Sequence, residues 1–410
     1  MSETRSGGLV GWIDDRFPMS KMWREHLSEY YAPKNFNFWY YFGSLALLAL
    51  VIQIISGIFL TMNYIPSEDR AFESVEYIMR DVEWGWLIRY IHTTGASAFF
   101  VVVYLHMFRA LMYGSYQKPR ELLWIFGCLI FVLLMAEAFM GYMLPWGQMS
   151  YWGGQVIISL FGAIPFLGPD LALWIRGDYV VSEVTLGRFF ALHVAAVPLV
   201  IILLVVAHIL ALHEVGSNNP DGIDIKKNKD ANGVPKDGIP FHPYYSVKDL
   251  VGVGVFFLFF SVVLFYVPDF FGLFIEAPNF EKANPLVTPD HIAPVWYFAA
   301  FYAILRAVPD TFGGVLLMGL AVLILFVLPW LDRGRVRSIR YRGFSFKVAL
   351  GLFAVGFILL TYLGTQPATA MNVIMSRIGS VIYFGYFIFL FVYTAFGLER
   401  TKPLPERVTS

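Results

Sequence analysis

Residues 88–109 read IRYIHTTGASAFFVVVYLHMFR, and residues 193–208 read HVAAVPLVIILLVVAH. Each stretch is apolar and carries two histidines, His92 and His106 in one, His193 and His208 in the other. An imidazole in hydrocarbon is costly unless something binds it. Steps of 14 and 15 residues place the members of each pair ~21–23 Å apart along a helix. At ~100° per residue the second histidine returns near the face of the first, ~40° short in one helix and ~60° past in the other. Two such helices side by side would offer two His/His sites at two depths of a ~30 Å hydrocarbon core.

The rest of the chain agrees with a membrane setting. Of 410 residues, 58% are hydrophobic and only 15% charged, which marks a polytopic membrane protein rather than a soluble domain. Lys plus Arg equals Asp plus Glu, 30 of each, and no nucleic-acid partner is expected. The single cysteine, Cys128, excludes disulfides, a thiolate metal cluster and covalent haem attachment. No cleavable signal is evident in the polar first 38 residues, so the first span is expected to direct insertion. The fold class expected is all-α with eight transmembrane helices, near 40–62, 87–112, 121–143, 186–212, 247–268, 312–331, 344–364 and 378–398. Segments 146–166 and 291–306 are apolar but broken by Pro and Gly, and read as re-entrant or surface helices. With eight spans both termini share a side. That side carries most of the Lys and Arg, including Arg333, Arg335, Arg337, Arg340 and Arg342 in one loop. Positive-inside bias then puts both termini in the cytoplasm.

This topology decides the pairing. The second and fourth spans run in the same direction, so His92 lies level with His193 near the outside and His106 level with His208 near the inside. Zinc usually takes three or four protein ligands, whereas only two histidines fall at each level; two axial nitrogens suit a flat haem. Gly43 and Gly57, and likewise Gly127 and Gly141, repeat the 14-residue step, as if neighbouring helices thin their backbones to admit rings. Ordinary small-residue packing is the alternative. Arg89 and Arg109 flank the histidines and would reach acidic haem edges, or else snorkel to the interface.

Several stretches make the chain recognisable: Ile88-Arg89-Tyr90-Ile91-His92, residues 141–150 (GYMLPWGQMS), Ser217-Asn218-Asn219-Pro220, residues 241–245 (FHPYY) and Pro294-Val295-Trp296-Tyr297. Over nearly its whole length it resembles cytochrome b of the bacterial cytochrome bc1 complex, the quinol–cytochrome c oxidoreductase. The resemblance implies a low-potential haem on His92 and His193, and a high-potential haem on His106 and His208. Both would be non-covalent b-type haems. It implies quinol oxidation at an outer pocket built from Tyr142, the 146–158 helix, Pro294, Trp296 and Tyr297. One electron would pass to a Rieske iron–sulfur protein and cytochrome c1. The other would cross to an inner quinone site at His213, Ser217, Lys248 and Asp249, with proton translocation. Quinone reduction takes up protons, and a His, a Lys and an Asp on one side can donate them. The resemblance further implies ubiquinone, a homodimeric complex and the bacterial inner membrane. It divides the chain into a cytoplasmic segment 1–39, a di-haem four-helix bundle 40–220 and a C-terminal four-helix domain 221–410 that contributes to the quinone sites.

Three departures stand out. The family's outer motif usually carries a quinol-binding, proton-accepting glutamate where this chain has Val295, which can do neither. Glu137 sits in an apolar run where the family has a small or hydroxyl residue, and an intramembrane carboxylate is a functional hypothesis by default. Glu137 is therefore expected to replace the missing glutamate; a carboxylate satisfied within the bundle is the alternative, and Asp290 and Glu281 are rival replacements. The third is the 15-residue step from His193 to His208, where the bc1 family has 14 and the shorter cytochrome b6 has 15. A kink at Pro198 is expected to absorb the extra residue. Two other functions compete: a di-haem anchor subunit of another quinone-linked dehydrogenase, and a transporter whose histidines relay protons. The outer motif and the 146–158 helix speak against the first, and bound haem would exclude the second.

Overall fold

The computed structural model of the chain describes residues 8–409. Among these, eight helices are long and apolar enough to cross a membrane: Phe38–Thr61, Gly85–Tyr113, Glu121–Met143, Glu183–Val215, Phe241–Tyr266, Thr311–Leu331, Phe344–Thr365 and Ala370–Ala395. They form because long apolar runs in lipid must satisfy every backbone group internally. Four of the eight start on side-chain caps. Asn37 accepts from Trp39 N, Ser182 from Val184 N, Asp310 from Gly313 N and Thr369 from Asn372 N.

The eighth span begins at Ala370 rather than near residue 378. Its first turns look too polar for a span, but each polar group finds a carbonyl. Ser376 Oγ donates to Asn372 O, Ser380 Oγ to Ser376 O, and Arg377 Nε to Ala307 O across the bundle.

Segment 146–166 becomes helix Gln148–Phe161, followed by helix Gly168–Arg176, and the two pack on each other. Segment 291–306 departs from the surface expectation. Helix Trp296–Ala307 packs against the sixth, seventh and eighth spans, with Ala299, Ala300, Ala303 and Ile304 fully buried. Its small alanines allow this: Gly364 of the seventh span lies directly on the Ala299 carbonyl, where no Cβ would fit.

Backbones approach closely within two pairs, first with second span and third with fourth. Between the pairs, close approach is sparse, and the four histidines project into that gap. The fifth span packs on the first and second, and the sixth on the third. At the end of the bundle away from Tyr142, strand Tyr31–Pro33 pairs antiparallel with strand Gly238–Pro240. The 332–342 loop and the C-terminal tail join them there: Arg407 pairs with Asp237, and Arg340 and Thr409 with Asp221. The segments expected on one side of the membrane therefore meet.

Candidate haem and quinone sites

His92 and His193 face each other with ring centroids 6.2 Å apart, and His106 and His208 with centroids 6.4 Å apart. A metal–imidazole bond of ~2 Å plus ~1.1 Å from nitrogen to ring centre puts two trans imidazoles ~6.3 Å apart. Both levels therefore have the spacing of an axial pair on one iron. No group of three or more His, Cys, Asp or Glu side chains converges as a metal site among the described residues.

The tautomers at the first level are fixed by neighbours. Ser56 Oγ donates to Ile52 O and so accepts from His92 Nδ1, at 2.9 Å. His193 Nδ1 donates to the Glu137 carbonyl, also at 2.9 Å. Both rings thus keep Nε2 bare for a metal, the usual support for a ligating histidine. At the second level Arg109 Nη2 is 3.4 Å from His106 Nδ1, and the buried His208 Nδ1 has no hydrogen-bond partner among the described residues.

The four glycines meet the four histidines one to one. A Cβ on Gly43 would stand 3.3 Å from His106 Cε1, and one on Gly57 3.2 Å from His92 Cε1. On Gly127 it would stand 3.4 Å from His208 Cε1, and on Gly141 2.4 Å from His193 Cε1. The rings these glycines admit in the structure are imidazoles. Residues and spacing at both levels fit haem.

The 15-residue step is absorbed at His193 itself. Leu192–Ala196 is a π-helical turn in which Val197 N–H reaches back to Leu192 O, so one extra residue is taken up without turning the rest of the helix. Pro198 follows immediately and the helix runs on past it to Val215. The π turn, rather than a proline kink, does the absorbing; its wider backbone relieves the clash a proline ring makes with the carbonyl four residues back.

A cavity of about 640 Å³ runs from His92, His193 and Arg89 to Tyr142, Val295 and Tyr297. Tyr297 closes it, stacked on Phe100 at 4.0 Å, and Trp296 Nε1 donates to Ser97 Oγ. Pro294 and Trp296 line a neighbouring cavity of about 450 Å³ with Met149, Asp290 and His291. Glu137 lines the first cavity, but its carboxylate is turned onto His193, with Oε1 3.0 Å from Nδ1. The acid that meets Tyr142 is Glu276, whose Oε2 accepts from the tyrosine hydroxyl at 2.9 Å. Asn279 Nδ2 donates to both, at 3.1 and 3.0 Å. Asp290 lines only the second cavity of the two, and Glu281 neither.

The residues expected at the inner site form two adjoining groups. Tyr30 stacks on His213 at 4.5 Å and hydrogen-bonds Ser217. Lys248 donates to Phe36 O, and Asp249 lies against the Ser44 hydroxyl. Phe241 and Tyr245 run between the groups. Arg109 lies over the Tyr40 ring near the second histidine level.

Residues 27–216 match the family model described as Cytochrome b/b6/petB, and residues 282–384 the one described as Cytochrome b(C-terminal)/b6/petD. The chain belongs to the cytochrome b family. It is 60% identical to "Cytochrome b" of Allochromatium vinosum over 98% of both chains. It is 50% identical to "Cytochrome b" of Rickettsia typhi over 100% of this chain and 99% of that one. Among solved structures it resembles a chain of "Hyperthermophilic respiratory Complex III", with TM-score 0.88 and 39% identity over 95% of this chain and 99% of that one. Cytochrome b membership carries b-type haem binding, which the paired histidines fit.

Sequence reasoning missed Ser56, Asn279 and Glu276. The signal for Glu276 was its place closing the apolar run Phe270-Phe271-Gly272-Leu273-Phe274-Ile275.

Proposed function

We propose that this chain is the quinol-oxidising, haem-carrying subunit of a bacterial quinol–cytochrome c oxidoreductase. The observation that carries the reading is the single cavity joining the first histidine pair to Tyr142, Val295 and Tyr297, with a second histidine pair deeper in the same bundle. A quinol held there lies beside an electron acceptor. An anchor subunit without a quinol-oxidising site needs no such continuity, and a proton-relaying transporter needs no paired axial ligands.

The first pair, His92 and His193, would hold the low-potential haem, and the second, His106 and His208, the high-potential one. When bound, the two haems supply a one-electron relay between the two depths. The chain's residues do the rest. Ser56 and the Glu137 carbonyl orient the two ligands of the first pair. Tyr142, Pro294, Trp296 and Tyr297 shape the quinol pocket. His213, Ser217, Lys248 and Asp249 bind quinone, expected to be ubiquinone, and deliver protons as it is reduced. Arg89 and Arg109 offer cations to acidic haem edges.

A Rieske iron–sulfur protein and cytochrome c1 would take the other electron, in a homodimeric complex. A relative from Bradyrhizobium diazoefficiens, "Cytochrome b/c1", supports the second partner. It is 44% identical over 98% of this chain, which matches 57% of that longer one. The bilayer would be the bacterial cytoplasmic membrane. Both termini would be cytoplasmic, because the Lys- and Arg-rich loops gather at the end where the N-terminal strand and the C-terminal tail meet.

The test is a redox titration of the visible spectrum of the purified complex. Two separate one-electron b-type waves are expected. One wave, or none, would overturn the pairing of His92 with His193 and His106 with His208.

A further inference from the structure

Val295 leaves the quinol pocket without the acid that its motif usually supplies. Three observations concern what stands in its place. Glu276 lines the first cavity together with Val295, Tyr142 and Tyr297. It also lines the second cavity, with Asp290 and His291, so it stands in the wall between the two. Its Oε2 is held by Tyr142 and Asn279, two donors from different elements, so the carboxylate has a fixed position rather than a solvated one.

We propose that Glu276 is the proton acceptor of the outer quinol site, taking a quinol proton in the first cavity and releasing it through the second. The assignment rests on the quinol-oxidising reading given above. Oxidation of one quinol to quinone releases two electrons and two protons. One electron goes to the iron–sulfur partner and the other into the haem relay. One quinol O–H bond breaks as an O–H bond forms on the Glu276 carboxylate, and the second proton leaves on the iron–sulfur side. Rotation of the carboxyl then turns the acquired proton toward His291 and Asp290, and ionisation restores the acceptor.

The chemistry of the site suits this. Burial pushes the Glu276 carboxyl up to about 7, with hydrogen bonds from Tyr142 and Asn279 opposing the rise. An acceptor poised there ionises near neutrality and still holds a proton long enough to pass it on. The groups facing it are Tyr142 from the third span, Tyr297 from helix Trp296–Ala307, and Asn279 from its own loop; Asp290 and His291 share the second cavity with it. None of these is a cation that would hold the carboxylate permanently charged.

The test uses the purified complex and quinol-to-cytochrome c turnover from pH 5.5 to 9. Wild-type turnover is expected to rise with pH through about 7, as the carboxylate forms. Glu276→Gln is expected to lower turnover ~10²-fold and to abolish that rise, while both haem waves stay in place. Wild-type turnover with an unchanged pH profile in Glu276→Gln would overturn the assignment. If the glutamine variant fails to assemble, Glu276→Asp carries the test: a displaced acid limb supports the assignment and an unmoved limb overturns it. Wild-type complex that lacks two haem waves, or quinol turnover altogether, would overturn the functional reading first and this assignment with it.

Discussion

At Gly141 a single hydrogen atom in place of a side chain decides whether His193 can reach its position. A Cβ there would stand 2.4 Å from the imidazole Cε1 and 2.9 Å from Nε2, distances no packed atoms tolerate. The ring is held against swinging aside, because Nδ1 is bonded to the Glu137 carbonyl. Gly127 is the contrasting case, since its Cβ would make an ordinary 3.4 Å contact with His208. Overpacking a filled site costs ~1–3 kcal/mol. Gly141→Ala is therefore expected to lose the haem of the His92–His193 level, whereas Gly127→Ala keeps both haems. Spectroscopic haem content per complex checks this, and equal loss in the two variants would defeat the one-to-one reading of glycine and histidine. The same residues mark how far the sequence could be read. The 14-residue repeat of Gly43–Gly57 and Gly127–Gly141 was visible because a helix converts residue count into depth. That each glycine serves one imidazole was not, because the spacing is equally consistent with room for a larger ring. Glu276 was less visible still. It lies 134 residues from Tyr142 on an irregular loop, where no period predicts position. Glu137 is conspicuous as an acid in a span; its Oε1 lies on His193 Nδ1, while its buried Oε2 has no hydrogen-bond partner among the described residues.

Helices are where most of the fold was legible, and where the exceptions have physical causes. Spans show in the sequence because lipid demands an unbroken apolar run of about twenty residues. The eighth span was placed late because Ser376, Arg377 and Ser380 hide their polarity in hydrogen bonds to carbonyls. Helix Trp296–Ala307 is too short to span, and its small residues bury it among three longer helices rather than on the surface. The extra residue between His193 and His208 is legible in the sequence, but the π turn that absorbs it carries no sequence signal as plain as Pro198. A π turn holds one surplus residue locally, so the helix beyond it keeps its register. Deleting Ala195 should convert that turn to ordinary α-helix and leave His208 opposite His106. The third span spends no residue on such a turn between Gly127 and Gly141. Deleting Ile130 there turns all that follows by ~100° and shifts it by ~1.5 Å, carrying Gly141 and the Glu137 carbonyl away from His193. Two haem waves are therefore expected in the Ala195 deletion, and loss of the His92–His193 wave in the Ile130 deletion. Loss of the His106–His208 wave on deleting Ala195 would show that the π turn does not hold the register.

Over the whole molecule, the polar chemistry divides between the two ends of the bundle. The end near Tyr142 holds the cavities, with Glu276 and the first histidine pair. The other end is closed by buried ion pairs that join parts of the chain far apart in sequence. Arg342, whose side chain is fully buried, pairs with Asp332 at 2.6 Å and with Glu399 at 2.9 Å. Asp332 also accepts from Tyr116 and Gln117, so the clamp ties the loop after the second span to the loop after the sixth and to the C-terminal tail. Burial alone would lower the Arg342 pKa; Glu399 and Asp332 outweigh it and hold the guanidinium charged. Such a network is weak testimony for net stability, since an apolar core of the same volume can be as stable. Removing one member is different, because it strands the remaining buried charges. Arg342→Ala leaves two carboxylates, Asp332 and Glu399, without their cation, and is expected to cost ~3–5 kcal/mol. Thermal unfolding of the detergent-solubilised complex checks it, with Arg407→Ala as the comparison, since that arginine is half-exposed in its pair with Asp237. Asp237 is itself buried but keeps Lys34 as a second cation at 3.0 Å, so the Arg407 variant should melt well above the Arg342 variant. Equal melting of the two variants would mean that the clamp joins the segments without holding them, and that the apolar contacts of the spans alone keep this end closed.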